Sequence, residues 1–159
     1  ECPWATTGRF GGRKPNIITS LELRSEEMEI INLRIQEKYK KIEESEVRFE
    51  EYMLDDAEYA IVAFGSAARI AKKSIEIARS QGIKVGLLRP ITLWPFPTKE
   101  VQKLGEKMKG ILSLEINAGQ MVEDIRLAVA GRVPVQHFGR LGGIIPDPDE
   151  VVDAIKRLF

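Results

Sequence analysis

The chain has 159 residues, 43% of them apolar, which suits one domain with a real core and room for an ordered extension. Its 24 basic and 24 acidic side chains cancel, which removes the broad basic footprint of a nucleic-acid binder. One cysteine, Cys2, and one histidine, His137, exclude an internal disulfide, a Cys-rich zinc site and a resident iron–sulfur cluster.

The longest uninterrupted apolar run, Tyr59 to Phe64, is far too short to span a bilayer. No basic n-region or apolar h-region opens the chain, so a soluble protein of a reducing compartment, the cytoplasm, is expected. The absence of an initiator Met points to a fragment of something longer. Charged residues make up 30%, with few Asn and Gln, a faint thermophile signature.

Residues 1–24 lack periodicity. Gly8, Gly11 and Gly12 with Arg9, Arg13, Lys14 and Pro15 read as a linker or the tail of an upstream domain. A phosphate-binding loop is the sharper reading, but its Gly-Lys-Ser/Thr ending is missing. From Ser25 a helix begins, with Glu26 and Glu27 at its positive dipole end. Met28, Ile31, Ile35, Tyr39 and Ile42 form one apolar stripe, which needs the domain's own core or another subunit as partner.

Val47, Phe49 and Tyr52 alternate with charged residues as in a half-buried strand, and Asp55-Asp56 make a turn. Tyr59 to Phe64 is a strand buried on both faces, followed by a helix from Gly65-Ser66 that Gly82 ends. Ile83 to Leu88 is the next strand. Pro95 and Pro97 stiffen a loop, Thr98 is expected to cap a short helix, and Gly110 to close it. Ile111 to Ile116 is a strand, Met121 to Val129 a helix ended by Gly131, and Val133 to Phe138 a last strand. Asp147, Pro148 and Glu150 announce the final helix with a capping box.

Four strand–helix units in succession imply an α/β fold of three layers around a mainly parallel, five-stranded sheet. The short turn before Tyr59 makes the first strand an antiparallel edge. Ligands of such sheets collect beyond the carboxyl ends of the strands. The loops there begin at Gly65, Arg89, Asn117 and Gly139.

None of these loops carries a complete chemical motif. The Gly65 loop has Ala67 where a dinucleotide turn needs its second Gly, and Arg89 stands where a ribose-binding acid belongs. Ser66 lacks the first Gly of a nucleophile elbow. His137 lies on a strand between apolar residues, a setting commoner for a satisfied core or interface histidine than for a base. Glu115 alternates within a strand and is available to an interface. Arg89, held before Pro90, suits a bidentate contact, structural or substrate-directed. The Trp94-Pro95-Phe96-Pro97 loop is costly to leave exposed and suggests docking against another domain.

The run from Gly82 through Leu88-Arg89-Pro90-Ile91-Thr92-Leu93-Trp94-Pro95-Phe96-Pro97 is long and unusual. With Ala63–Arg69, Glu115–Met121 and Gly139–Gly143, it closely resembles the C-terminal, transketolase C-terminal-like part of the alpha subunit of 2-oxoacid:ferredoxin oxidoreductases. The resemblance covers residues 25–159 and is greatest to the 2-oxoisovalerate (branched-chain) type, then the 2-oxoglutarate type. It implies an assembly that decarboxylates a 2-oxoacid on thiamine diphosphate with Mg, passes electrons through iron–sulfur clusters to ferredoxin, and delivers the acyl group to coenzyme A. It further implies a pyrimidine-binding domain upstream of residue 25. The thiamine-diphosphate-binding beta subunit and the iron–sulfur ferredoxin-like subunit are implied as separate chains.

No catalytic, metal-binding or cofactor-binding residue carries over onto this chain, so a structural and assembly role is expected, inactive alone. Gly65, Ser66, Arg89, Trp94, Asn117, Gly119, Gln120 and Arg140 are the expected positions that touch neighbouring domains or shape the approach to the site. Two other readings are an independent nucleotide-binding enzyme using the Gly65 loop, and an oligomerisation arm in the helix from Ser25. Neither nucleic acid nor membrane is expected as a partner.

Overall fold

A computed structural model describes residues 8, 10–14, 17 and 19–158. Cys2 and part of the basic glycine-rich stretch therefore lie outside the described residues. The chain divides into two compact units, Glu1–Lys40 and Lys41–Phe159. The first contains most of helix α1 (Ser25–Ser45), which has acids in its first turn and no buried residue.

In the second unit, β1 (Phe49–Tyr52), β2 (Tyr59–Val62), β3 (Val85–Pro90), β4 (Gly110–Glu115) and β5 (Val135–Gly139) form one sheet in the order β1-β3-β2-β4-β5. Four strands are parallel, and β1 runs antiparallel to β3 at the edge. Helices α2 (Gly65–Ser80), α3 (Thr98–Lys107), α4 (Met121–Val129) and α5 (Pro148–Lys156) make the connections and the last element.

Strand alternation sorts the side chains into two cores. Ile61, Leu87, Leu112 and Leu114 meet Ala71 and Ile75 of α2 and Val151 and Ile155 of α5 on one face. Ala60, Val62, Leu88 and Ile111 meet Val101 and Leu104 of α3 and Ile125 and Val129 of α4 on the other. Each fully buried Leu or Ile contributes about 1.5–3 kcal/mol, so a polar substitution on either face breaks a layer.

The ends of the elements refine the sequence reading. The Asp147 box forms as expected: its side chain accepts from Asp149 N at 2.9 Å, and Glu150 accepts from Asp147 N at 3.1 Å. Gly82 takes the expected left-handed conformation, with φ 83°. Thr98 does not cap α3. It is the first helical residue, after Pro97, and no side chain caps that end. Gly110 does not close α3 either, since Met108 does; Gly110 opens β4, packed against Leu158 and Tyr59. Ala130 takes the left-handed turn that ends α4, one residue before Gly131.

At the amino end of the sheet, Arg79 ties α2 to the β1–β2 turn. Its Nε donates to Val85 O and its Nη2 to Met53 O, both at 2.8 Å, and the same Nη2 meets Asp56. That bond to Arg79 leads the influences holding the Asp56 carboxyl below the usual range.

Candidate functional site

The loops after β2, β3, β4 and β5 all open at the carboxyl edge of the sheet. Between β2 and β4 the topology reverses: α2 leaves β2 on one face and α4 leaves β4 on the other. Such a switch point leaves a crevice. A cleft of about 210 Å³ lies there, lined by Phe64, Leu93, Phe96 and Met121 and by Glu115, Asn117, Gln120 and Asp124.

Glu115 builds the floor. It lies two residues after Ser113, so both point to the α3/α4 face, and it is only 1% exposed. Its Oε2 accepts from the N–H groups of Gln120 (3.0 Å) and Met121 (2.9 Å), and its Oε1 from Val122 N (3.0 Å) and the Ser113 hydroxyl (2.9 Å). The carboxylate thus caps α4, whose N-terminal donors would otherwise be orphaned. Burial pushes this carboxyl up. The N–H groups of Gln120 and Met121, with the side chains of Ser113 and Asn117, outweigh that and hold it below its ordinary value. Glu115 is therefore a structural anion, and the interface reading gives way to a capping one.

His137, on the neighbouring strand, places Nε2 3.9 Å from Glu115 Oε1, a long contact beyond hydrogen-bond reach. That nitrogen is buried and has no hydrogen-bond partner among the described residues. Glycines make room for the ring: a Cβ on Gly139 would fall 2.3 Å from Asn117 O and 2.7 Å from His137 Cε1.

The expected site residues separate into two groups. Asn117 and Gln120 line the cleft. Asn117 Oδ1 accepts from Gly119 N at 2.7 Å, and Gly119, at φ 105°, lets the chain turn into α4 beside His137. Gly65, Ser66, Arg89, Trp94 and Arg140 stand elsewhere on the edge. Gly65 opens α2 with φ 56°, and Ser66 is exposed. Ala67 is buried in the α2/α5 core, so no second glycine lets backbone approach a phosphate. Arg89 pairs with Glu50 across the β1–β3 ladder at 2.9 Å, with Lys72 on the other carboxylate oxygen at 2.5 Å. The bond from Lys72, then that from Arg89, holds the Glu50 carboxyl below the usual range. Arg140 Nη2 lies 3.5 Å from Glu150 Oε1.

Trp94 precedes a cis Pro95 and is 54% exposed. Ile91, Leu93, Leu141, Ile144 and Ile145 are exposed large apolar side chains in the same set of loops. Sequence reasoning missed Phe64, Leu93, Met121 and Asp124 as members of one site. Their positions follow from the strand order, which no local pattern prints. The donor set suits neither an iron–sulfur cluster nor, among the described residues, a metal ion. A single cysteine stands where a cluster takes four, and the described residues contain no group of three His, Cys, Asp or Glu able to hold a metal ion. None of their helices is long and apolar enough to cross a membrane.

Comparison with known proteins places this geometry. The family model described as pyruvate:ferredoxin oxidoreductase core domain II matches residues 57–151. The ketoisovalerate oxidoreductase subunit VorB of Methanothermobacter thermautotrophicus is 44% identical over 158 residues, covering 99% of this chain and 44% of that protein. Among solved structures, 2-oxoglutarate:ferredoxin oxidoreductase from Magnetococcus marinus, with 2-oxoglutarate, coenzyme A and succinyl-CoA bound, superposes with a TM-score of 0.71 at 20% identity. That match covers 86% of this chain and 24% of that one. A split-gene transketolase, an inactive β4 tetramer, matches with a TM-score of 0.60 at 14% identity, over 70% and 41% of the two chains. The fold is therefore transketolase-like. The chain spans less than half the length of the VorB relative.

Proposed function

The chain belongs to the pyruvate:ferredoxin oxidoreductase core domain II family, and from that membership we propose that it is an assembly domain of a cytoplasmic 2-oxoacid:ferredoxin oxidoreductase of the branched-chain type. The whole enzyme would convert 2-oxoisovalerate, coenzyme A and oxidised ferredoxin to the acyl-CoA, carbon dioxide and reduced ferredoxin. Thiamine diphosphate with Mg and the iron–sulfur clusters would reside on other subunits; the single cysteine supports this for the clusters. Residues 1–24 would join the unit at 25–159 to a pyrimidine-binding domain upstream. The whole-chain likeness to a ketoisovalerate oxidoreductase subunit supports the branched-chain substrate.

One observation carries the role. At the carboxyl edge, the charged residues that looked chemical are engaged within the domain: Glu115 by α4, Arg89 by Glu50 and Arg140 by Glu150. Beside them the edge turns large apolar side chains outward, including Leu93, Trp94, Leu141 and Ile145. A surface of that kind is made for docking. Gly65, Ser66, Arg89, Trp94, Asn117, Gly119, Gln120 and Arg140 would then shape an interface rather than react. The nucleotide-enzyme alternative is not favoured, because Ala67 closes the Gly65 loop.

The test is purification of the enzyme through an affinity tag on this polypeptide. A thiamine-diphosphate-binding subunit and an iron–sulfur subunit should co-purify. The complex should reduce ferredoxin with 2-oxoisovalerate only when coenzyme A is present. A tagged polypeptide that elutes alone, or a complex that prefers 2-oxoglutarate, would overturn the assembly role or the substrate respectively.

A further inference from the structure

Three properties of the switch-point cleft select what fills it. Its volume, about 210 Å³, is below the ~300–1,000 Å³ of pockets that enclose a drug-sized ligand. It suits one side chain. Its walls are Phe64, Leu93, Phe96 and Met121, while its polar groups are carboxylates and amides, with no basic side chain among them. Asp124 forms no ion pair or side-chain hydrogen bond among the described residues, and the Glu115 oxygens below it are already taken by four donors. The cleft therefore offers negative charge and amide oxygens between apolar walls.

The mouth decides between a small cation and a polypeptide. The loop that supplies Leu93 and Phe96 also exposes Ile91 and Trp94, and Leu93 itself is 48% exposed. A small cation would leave these side chains in water, whereas a peptide segment covers them. Between the two long basic side chains, arginine fits better. Its guanidinium stacks on aromatic faces such as Phe64 and Phe96 and offers five donors to one carboxylate and two amide oxygens. A lysine ammonium is compact and strongly hydrated.

We infer that this cleft receives the arginine side chain of a partner polypeptide, presented between apolar residues that cover Ile91, Leu93 and Trp94. The inference rests on the reading of the carboxyl edge as a docking surface and names what docks there. It makes Asp124 a recognition residue in an otherwise apolar contact, where charge complementarity selects the partner and fixes its register.

The test uses the assembled enzyme that contains this chain. The photo-crosslinker p-benzoylphenylalanine replaces Gln120 in the cleft and, in a second preparation, Trp94 on the loop. Irradiation and peptide mass spectrometry identify what each probe touches. Both probes are expected to join the same partner segment, one that carries an arginine with apolar neighbours. Asp124→Asn and replacement of that arginine by alanine should each weaken association by about 30-fold or more, and the double variant should be hardly weaker than either. If the Trp94 probe crosslinks while the Gln120 probe finds nothing, or finds a segment without arginine, this inference fails and the docking surface stands. If both probes join an upstream domain of the same polypeptide, this inference fails and the docking surface stands; if neither reaches any segment outside this unit, the docking reading itself falls. Joining of both probes to a second copy of this chain would also overturn the assignment.

Discussion

Glu50 and Arg89 stand opposite one another in the β1–β3 ladder, and the Glu50 carboxylate accepts from the Arg89 guanidinium at 2.9 Å. Lys72, reaching across from α2 and lying 5.2 Å from the centre of the Tyr52 ring, holds the other oxygen. The edge strand is thereby fastened to the sheet and to a helix by one carboxylate. An arginine that the sequence offers as a site residue is first of all a clasp.

The first prediction follows from the ranking of those two bonds. Lys72 depresses the Glu50 carboxyl more than Arg89 does, so Lys72→Met should raise its titration midpoint further than Arg89→Met. Carboxyl-carbon NMR measures both shifts directly, and the reverse order would refute the ranking. Because the folded value is depressed, the clasp stabilises the fold above the unfolded carboxyl's pKa, ~4.3, and fades as pH falls through the folded value. The group is half-exposed, so salt should weaken the effect.

Glu115 is the more consequential acid. Glu115→Ala removes the acceptor for three α4 N–H groups and the Ser113 hydroxyl. It should cost about 2–3 kcal/mol in denaturant unfolding. The sign with pH is the same as for Glu50. Stability from Glu115 is complete above about pH 4.3 and is lost as acid takes its proton. Unfolding free energy should therefore fall more steeply in acid for the parent chain than for Glu115→Gln. Parallel slopes would mean that the carboxylate carries no net charge-dependent stabilisation.

These two acids also mark how far the sequence could be read. The four strand–helix units were visible because period-two and period-3.6 patterns are local, as was the Asp147–Glu150 box. The antiparallel edge was expected from the short turn before β2, but the partner of β1 is β3 and not β2. Glu115 reads as an alternating strand residue because its partners, Gln120 to Val122, become donors only once α4 starts there. For Arg89 a structural and a substrate-directed contact stayed open because its partner Glu50 lies 39 positions away. The cleft was invisible for the same reason: Phe64, Leu93, Asn117 and Asp124 come from three connections, joined only by the strand order. The Thr98 cap failed because Pro97 already occupies the position before the helix.

Two glycines should separate backbone clashes from side-chain clashes. A Cβ on Gly86 would sit 2.4 Å from Met53 O and 2.8 Å from Leu54 Cδ2, so the β1–β2 turn itself would have to move. Gly86→Ala should cost about 1–3 kcal/mol. At Gly110 the nearest atoms are Leu158 Cβ at 3.3 Å and Tyr59 Cδ1 at 3.4 Å, which yield by small shifts. Gly110→Ala should cost distinctly less. Thermal unfolding of the pair measures the difference, and equal losses would show that the turn is softer than its contacts imply.

If the apolar edge docks as proposed, its residues should matter to association and not to folding. Leu93 and Leu141 are 48% and 58% exposed on loops that follow β3 and β5. Replacing either by Asp removes little packing within the domain, so the unfolding free energy should stay within about 0.5 kcal/mol of the parent. The same change puts a charge into the centre of an apolar contact, where charged residues are disfavoured. Recovery of the other subunits with the tagged chain should then fall sharply, and activity with it. Leu127 is 80% exposed on α4, away from those loops, and serves as the control. If Leu127→Asp disrupts association as much as Leu93→Asp, the contact lies on the α3/α4 layer. If all three variants assemble normally, the apolar edge faces solvent, and the assembly role loses its main support.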